Sequence, residues 1–215
     1  VTAAILFDFD GTIIDTEWPV YESIRLEFER AGRDFPLSAW QAIVGTDGDL
    51  DWLGELQRTL GDGFDAEAIQ TRRRAARDTM LHAQGLRAGV LDVLDAARER
   101  SLRLAVASSS PRSWVEHHLH RIELAHHFHA VRTLDDVERA KPSPDLFLAA
   151  AEALGVEPHD CVAIEDSHHG ATAAREAGAR VIVVPNRITA GGDFRAAHLV
   201  ADSLAAPEVG AFLGW

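Results

Sequence analysis

The sequence predicts an α/β fold, a doubly wound, mostly parallel sheet with a helical cap domain inserted after the first strand. Three observations predict it. Short apolar runs of strand length are mostly aliphatic and lack strict alternation, the pattern of strands covered on both faces. Helical patterns of about ten residues separate these runs, as in βαβ units. One long helical stretch interrupts the alternation near the start of the chain.

Strands are expected at residues 3–7, 102–107, 161–164 and 181–184, with weaker signals at 130–132 and 199–201. Helices are expected at 90–100, 112–121, 144–154 and 170–177. Ser143 followed by Pro144 predicts an N-cap and first helical residue, and Gly155 and Gly178 stand where helix C-caps belong. Residues 17–83 read instead as helices at 21–31, 38–43, 50–60 and 66–82, punctuated by Gly32, Gly45, Gly48, Gly61 and Gly63. An insert of that size is not a simple crossover. Residues 1–15 and 86–215 are therefore expected to form the catalytic core and residues 16–85 a helical cap, hinged near Thr16 and residues 84–85.

Composition narrows the class. The chain has 215 residues, 47% of them hydrophobic, enough for a substantial core plus a smaller insert. Its 21 basic and 34 acidic residues leave a net charge of −13, so no nucleic-acid partner is expected. A single Cys161 excludes an internal disulfide framework and a Cys-rich zinc site, and fits a reducing cytosol. No apolar run is long enough to span a bilayer, and the first one ends in Asp8 and Asp10, as a strand rather than a signal peptide does. The expectation is a soluble, cytoplasmic protein without a membrane partner, monomeric by default. Of the 21 basic residues only Lys141 is a lysine. Either an arginine-biased composition left one lysine by chance, or this position needs a compact ammonium that a planar guanidinium cannot replace.

In an open α/β sheet, ligands bind beyond the carboxyl ends of the strands. After the first strand comes Asp8-Phe9-Asp10-Gly11-Thr12, after the second Ser108-Ser109-Ser110, after the fourth Glu165-Asp166-Ser167, and before the helix at 144 comes Lys141. Four carboxylates, hydroxyls and an ammonium thus converge on one edge. Carboxylates this close repel one another unless a cation neutralises them. Hard oxygen ligands suit Mg2+, and the lysine and hydroxyls remain to hold an anion. A metal, a carboxylate nucleophile and a cationic clamp together describe phosphoryl transfer. The alternative, that Asp8 and Asp10 merely cap a turn, leaves the matching polar groups at the other strand ends unexplained.

These residues, Asp8-Phe9-Asp10-Gly11-Thr12, Ser108, Lys141 and Glu165-Asp166, resemble the four ordered motifs of the haloacid dehalogenase-like superfamily. The branch of sugar-phosphate phosphatases and β-phosphoglucomutases looks most similar, and the resemblance covers nearly the whole chain, the inserted cap included. It implies that Asp8 is the nucleophile that forms an aspartyl-phosphate. It implies that Asp10 is the acid for the leaving alcohol and then the base for water. The Asp8 carboxylate, the Asp10 main-chain carbonyl and Asp166 would hold Mg2+, with Glu165 a nearby or alternative ligand. Ser108, Ser109 and Lys141 would bind the substrate's phosphoryl oxygens. Halide needs no proton to leave and an alkoxide does, so a second acid two residues after the nucleophile favours a small phosphate ester as substrate.

Weaker candidates carry bland alternatives. Asp15 orients the hinge or caps a helix. His117, His118, His120, His126, His127 and His129 form a dense run that reads as a helix face and loop rather than a metal site. Arg72, Arg73, Arg74 and Arg77 read as a solvated face of the cap from which one could reach a substrate anion. His168 and His169 follow the metal motif and read as near-surface packing or flanks of the site, and Trp18, Trp40 and Trp52 read as cap core or cap–core contacts. Specificity is expected from the cap near Glu17 and Thr46. The competing reading is a phosphomutase, which needs a cation in the cap for a second phosphate. The loop Val44-Gly45-Thr46-Asp47-Gly48 and Val20 depart from the arginine and histidine of β-phosphoglucomutases, and Asp47 and Asp49 would repel a dianion. A non-catalytic phospho-accepting or regulatory module is the third reading, disfavoured because no part of the constellation is missing.

Overall fold

The computed structural model describes residues 2–46, 48 and 50–215. Six strands form one sheet: β1 (Ala4–Phe7), β2 (Arg103–Ala107), β3 (Ala130–Arg132), β4 (Cys161–Glu165), β5 (Arg180–Val183) and β6 (Leu199–Val200). Their order is β3-β2-β1-β4-β5-β6 and every pairing is parallel. Each expected strand is present to within one residue at either end. Nine helices are described: α1 (Glu17–Arg30), α2 (Leu37–Gln41), α3 (Trp52–Leu60), α4 (Ala66–His82), α5 (Val90–Glu99), α6 (Arg112–Arg121), α7 (Asp145–Leu154), α8 (His168–Glu176) and α9 (Pro207–Leu213).

The sheet is covered on both faces. Ile5 and Phe7 of β1 pack with Val93 and Leu94 of α5, Val115 of α6 and Val209 of α9. Ala4 and Leu6 face the other way, onto Phe147 and Ala150 of α7 and Ala174 of α8. Side chains alternate along a strand, so a strand sandwiched in this way is apolar at every position. Burying each large side chain contributes roughly 1.5–3 kcal/mol, which locks β1 and the loop that follows it at the centre of the molecule.

Four local expectations need correction. Pro144 is itself the N-cap of α7, which begins at Asp145, and the Ser143 hydroxyl bonds the Asp145 carboxylate rather than a backbone N–H. Gly155 does cap α7, with φ 63°, whereas α8 is capped by Ala177 and Gly178 follows it. α8 starts at His168, two residues before the expected Gly170, because the Ser167 hydroxyl accepts the Gly170 N–H as an N-cap. α9 has no counterpart in the sequence expectation. It is short and buries only Val209 and Leu213, too few positions to set a helical period.

α1 to α4 enclose their own apolar cluster of Tyr21, Ile24, Phe28, Phe35, Leu56 and Ile69, with Trp18, Trp40 and Trp52 packed around it. Arg72 lies on an exposed face of α4, as expected, and also pairs at 2.8 Å with Glu27, a buried carboxylate, tying α4 to α1. The chain leaves and rejoins the sheet domain side by side, where Ile14 bridges Leu86 and the Arg87 N–H donates to Ile13. Across the seam, Gln41 of α2 donates to the Ile188 carbonyl at 2.7 Å and Ile188 enters the cap cluster. No helix among the described residues is long and apolar enough to cross a membrane.

Candidate active site

Register builds the site. Phe7 lies opposite Ile164 on one side and Val106 on the other, so the next residues, Asp8, Glu165 and the Ser108 loop, emerge together. The sheet order reverses beside β1, which makes this edge the crevice where α/β sheets bind ligands.

Lys141 is buried at the centre, with its ammonium 2.6 Å from Asp8 Oδ1 and 2.6 Å from Glu165 Oε1. Burial works against its charge, but the two carboxylates outweigh burial and hold the lysine protonated above its ordinary range. Glu165 is fully engaged: Oε2 accepts the Asp166 and Ser167 N–H groups and the Ser167 hydroxyl. α8 packs so tightly on this carboxylate that a Cβ at Gly170 would collide with it.

Asp8, Glu165 and Asp166 bring ligand atoms within 4.8 Å of one another, the one such metal-competent group among the described residues. The histidine run forms none. His118 is instead buried beside Phe9 and Trp114, and His129 accepts the Leu104 N–H. Burial, then the Glu165 charge, push the Asp8 carboxyl up to about 7. Burial, then Asp8, raise Asp166 well above the carboxylate range. Asp8 Oδ2 is buried with no hydrogen-bond partner. An orphaned carboxylate oxygen beside a second buried carboxylate is the donor set a hard divalent cation completes. Asn186 donates to Asp166 Oδ2 at 2.6 Å and orients it.

Asp10 is surrounded differently. Its Oδ1 accepts the Thr16 hydroxyl at 2.7 Å and the Trp114 indole N–H at 2.8 Å. Its Oδ2 accepts Ser110 at 2.6 Å and Ser108 at 3.3 Å. Ser109 turns toward the cap: its hydroxyl donates to the Gly45 carbonyl and accepts the Lys141 N–H. Gly45 has φ 84°, and a Cβ there would collide with Ser167 Oγ, so the cap loop lies directly on the core. Glu17, the first residue of α1, accepts the Trp40 indole N–H at 3.0 Å. Burial, then the Asp10 charge, push its carboxyl up to about 8. Asp15 accepts the Trp18 N–H and pairs with Arg187, which itself lies 3.7 Å from the Trp18 ring centroid. Asp47 and Asp49 lie outside the described residues.

The structure thus brings together Asp8, Asp10, Ser108, Ser109, Lys141, Glu165 and Asp166. Sequence reasoning missed Ser110, Thr16, Trp114, Asn186 and Arg87. Ser110 lies in the serine run already noted, and Asn186 follows β5 at the same sheet edge, so inspecting every strand end would have found both. Arg87 donates to the Gly11, Val184 and Pro185 carbonyls and pins the first motif to the loop after β5. Nothing local in the sequence marks it or Trp114.

A family model described as haloacid dehalogenase-like hydrolase matches residues 2–178. YhcW of Bacillus subtilis is 40% identical over 186 residues, covering 86% of this chain and 84% of its own. The fructose-1-phosphate phosphatase YqaB of Escherichia coli is 32% identical over 178 residues, 82% of this chain and 93% of its own. The crystal structure of CbbY from Rhodobacter sphaeroides in complex with phosphate aligns with a TM-score of 0.74 at 28% identity, covering 95% of this chain and 96% of that one. Sequence and fold agree, and the chain belongs to the haloacid dehalogenase-like hydrolases.

Proposed function

We propose that this hydrolase is a Mg2+-dependent phosphatase of small phosphorylated metabolites, sugar phosphates among them, working through an aspartyl-phosphate. The observation that carries the reading is the opposition between Asp8, buried against one ammonium with a free oxygen, and Asp10, held by four donors. Asp8, Asp166 and the Asp10 main-chain carbonyl would hold the cation, with Glu165 in the same cluster but committed to Lys141. When bound, Mg2+ supplies positive charge to the phosphoryl oxygens and to the paired carboxylates.

The protein's own groups account for the chemistry. An Asp8 oxygen attacks phosphorus as the ester P–O bond breaks, and Asp10 delivers a proton to the departing alkoxide. Water then attacks the same phosphorus, Asp10 takes its proton, and the bond to Asp8 breaks to release inorganic phosphate. Lys141 and Ser108 stabilise charge on the equatorial oxygens, and Ser109 seats the cap loop of residues 44–46 over the reacting groups. Residues 16–85 act as the cap, and residues 1–15 and 86–215 as the core. This reading sets the enzyme in the cytoplasm as a monomer, with Cys161 buried and reduced.

A mutase needs free cap cations for a second phosphate. Arg72 is committed to Glu27, Arg77 pairs with Asp78, and Arg73 lies over the Trp52 ring. Three of the four arginines of this helix are thus committed, which favours water as the final acceptor. The test is a panel of small monophosphates with Mg2+ present and then chelated, including β-glucose 1-phosphate with a trace of glucose 1,6-bisphosphate. Net release of inorganic phosphate that stops on chelation is expected. Efficient conversion to glucose 6-phosphate with little free phosphate would overturn the reading.

A further inference from the structure

Of the four donors on Asp10, the Trp114 indole comes from a helix, α6. We propose that Trp114 is a positioning residue that fixes the orientation of the Asp10 carboxylate, and that Arg77 of the cap holds Trp114 in place. The proposal rests on the acid–base role of Asp10.

Trp114 stands in the first turn of α6 and reaches Asp10 Oδ1 at 2.8 Å. Its ring is fixed from two further sides. His118, one turn on, meets it edge to face with centroids 4.2 Å apart at 70°. The Arg77 guanidinium lies 5.5 Å from the ring centroid. His118 is buried and packs on Phe9. Arg77 belongs to α4 in the cap and Trp114 to the core, so the stack spans the seam between the two units. A cation over an indole is attracted to its face, and that attraction exists only while the cap lies in this position.

On Oδ1 the other donor is Thr16, at the hinge where the cap begins. A hydroxyl on a short side chain follows any hinge movement. An indole wedged between a buried histidine and a stacked guanidinium has no such freedom. Trp114 therefore stops the carboxylate from swinging, and cap closure through Arg77 tightens the hold. Trp114 lines a cavity of about 320 Å³ together with Arg77, Leu81, His117 and Arg121, so removing the brace leaves the indole room to tilt.

Trp114→Phe removes the N–H donor and keeps an aromatic ring, smaller than the indole, at this position. Single-turnover phosphoryl transfer is measured with an alkyl phosphate, glycerol phosphate, and with para-nitrophenyl phosphate, whose phenolate leaves without a proton. The alkyl rate should fall about ten- to a hundredfold while the aryl rate changes less than about threefold, with KM little altered. Arg77→Met should produce a smaller selective loss, about threefold on the alkyl substrate. An equal loss on both substrates, or no loss on the alkyl one, overturns the proposal. If Trp114→Phe does not melt cooperatively, the selectivity of Arg77→Met decides by the same criterion. Asp10→Asn is run alongside: if it retains alkyl-phosphatase activity, the role of Asp10 fails and the proposal falls with it. If it loses that activity while Trp114→Phe behaves as wild type, the proposal alone fails.

Discussion

Asp8 and Asp10 stand two residues apart at the end of one strand, in opposite surroundings. Asp8 shares one ammonium with Glu165 and leaves Oδ2 without a partner, in a buried cluster that resists a further negative charge. Asp10 lies at the seam, where hydroxyls and an indole from the hinge, the β2 loop and α6 converge on both of its oxygens. Residue type does not set their roles; the partners do. A carboxylate with a free oxygen beside other carboxylates needs a cation, whereas one braced by donors on both oxygens is held in a single orientation.

The largest way to break that contrast is at the ammonium. Lys141→Arg keeps the charge but replaces a compact head with a planar fork in a fully buried space between Asp8, Glu165 and the Phe147 ring. A loss in kcat of roughly 10²–10³-fold is expected, with the fold retained by circular dichroism. Wild-type kinetics would return Lys141 to a chance survivor of an arginine-rich composition.

The seam can be sharpened separately. Gly45→Ala adds a Cβ that meets Ser167 Oγ, a hydroxyl already committed to Glu165 and the Gly170 N–H, at a backbone φ that favours glycine. The cap loop should then seat poorly, raising KM about tenfold while the chemistry at Asp8 persists. An unchanged KM in steady-state assays would show that this contact does not govern closure.

The smallest expected effect concerns stability. Burial, then the Arg121 charge, depress His118 from 6.5 to about 4, so the unfolded chain takes up the proton first. Stability from the neutral ring is fully present above pH 6.5 and is lost as pH falls toward 4, by on the order of 3 kcal/mol. His118→Gln should flatten the dependence of Tm on pH across that window. An unchanged slope would assign the acid sensitivity to other groups.

The core was legible because its strands are apolar on both faces and each ends in polar residues, so periodicity and the strand-end rule find Asp8, Ser108 and Asp166 together. Lys141 is legible through its singularity in the composition. The brace around Asp10 was not, because it is tertiary: Thr16 and Trp114 are brought together only when the hinge and α6 pack. The start of α1 at Glu17 was missed for a similar reason, since its first turn is set by Asp15 accepting the Trp18 N–H rather than by an apolar period. The Arg72–Glu27 pair was not legible because Glu27 lies on a different helix and is buried only after the cap forms.

The contrast rests on Asp8 carrying the phosphoryl group. Rapid acid quench of the enzyme with a radiolabelled phosphate monoester and Mg2+, followed by peptide mapping, tests this most directly. The label should appear on the peptide containing Asp8, decay as inorganic phosphate is released, and be absent from Asp8→Asn and from chelated enzyme. Phosphate release with no label on that peptide, or label on a histidine, would contradict the assignment.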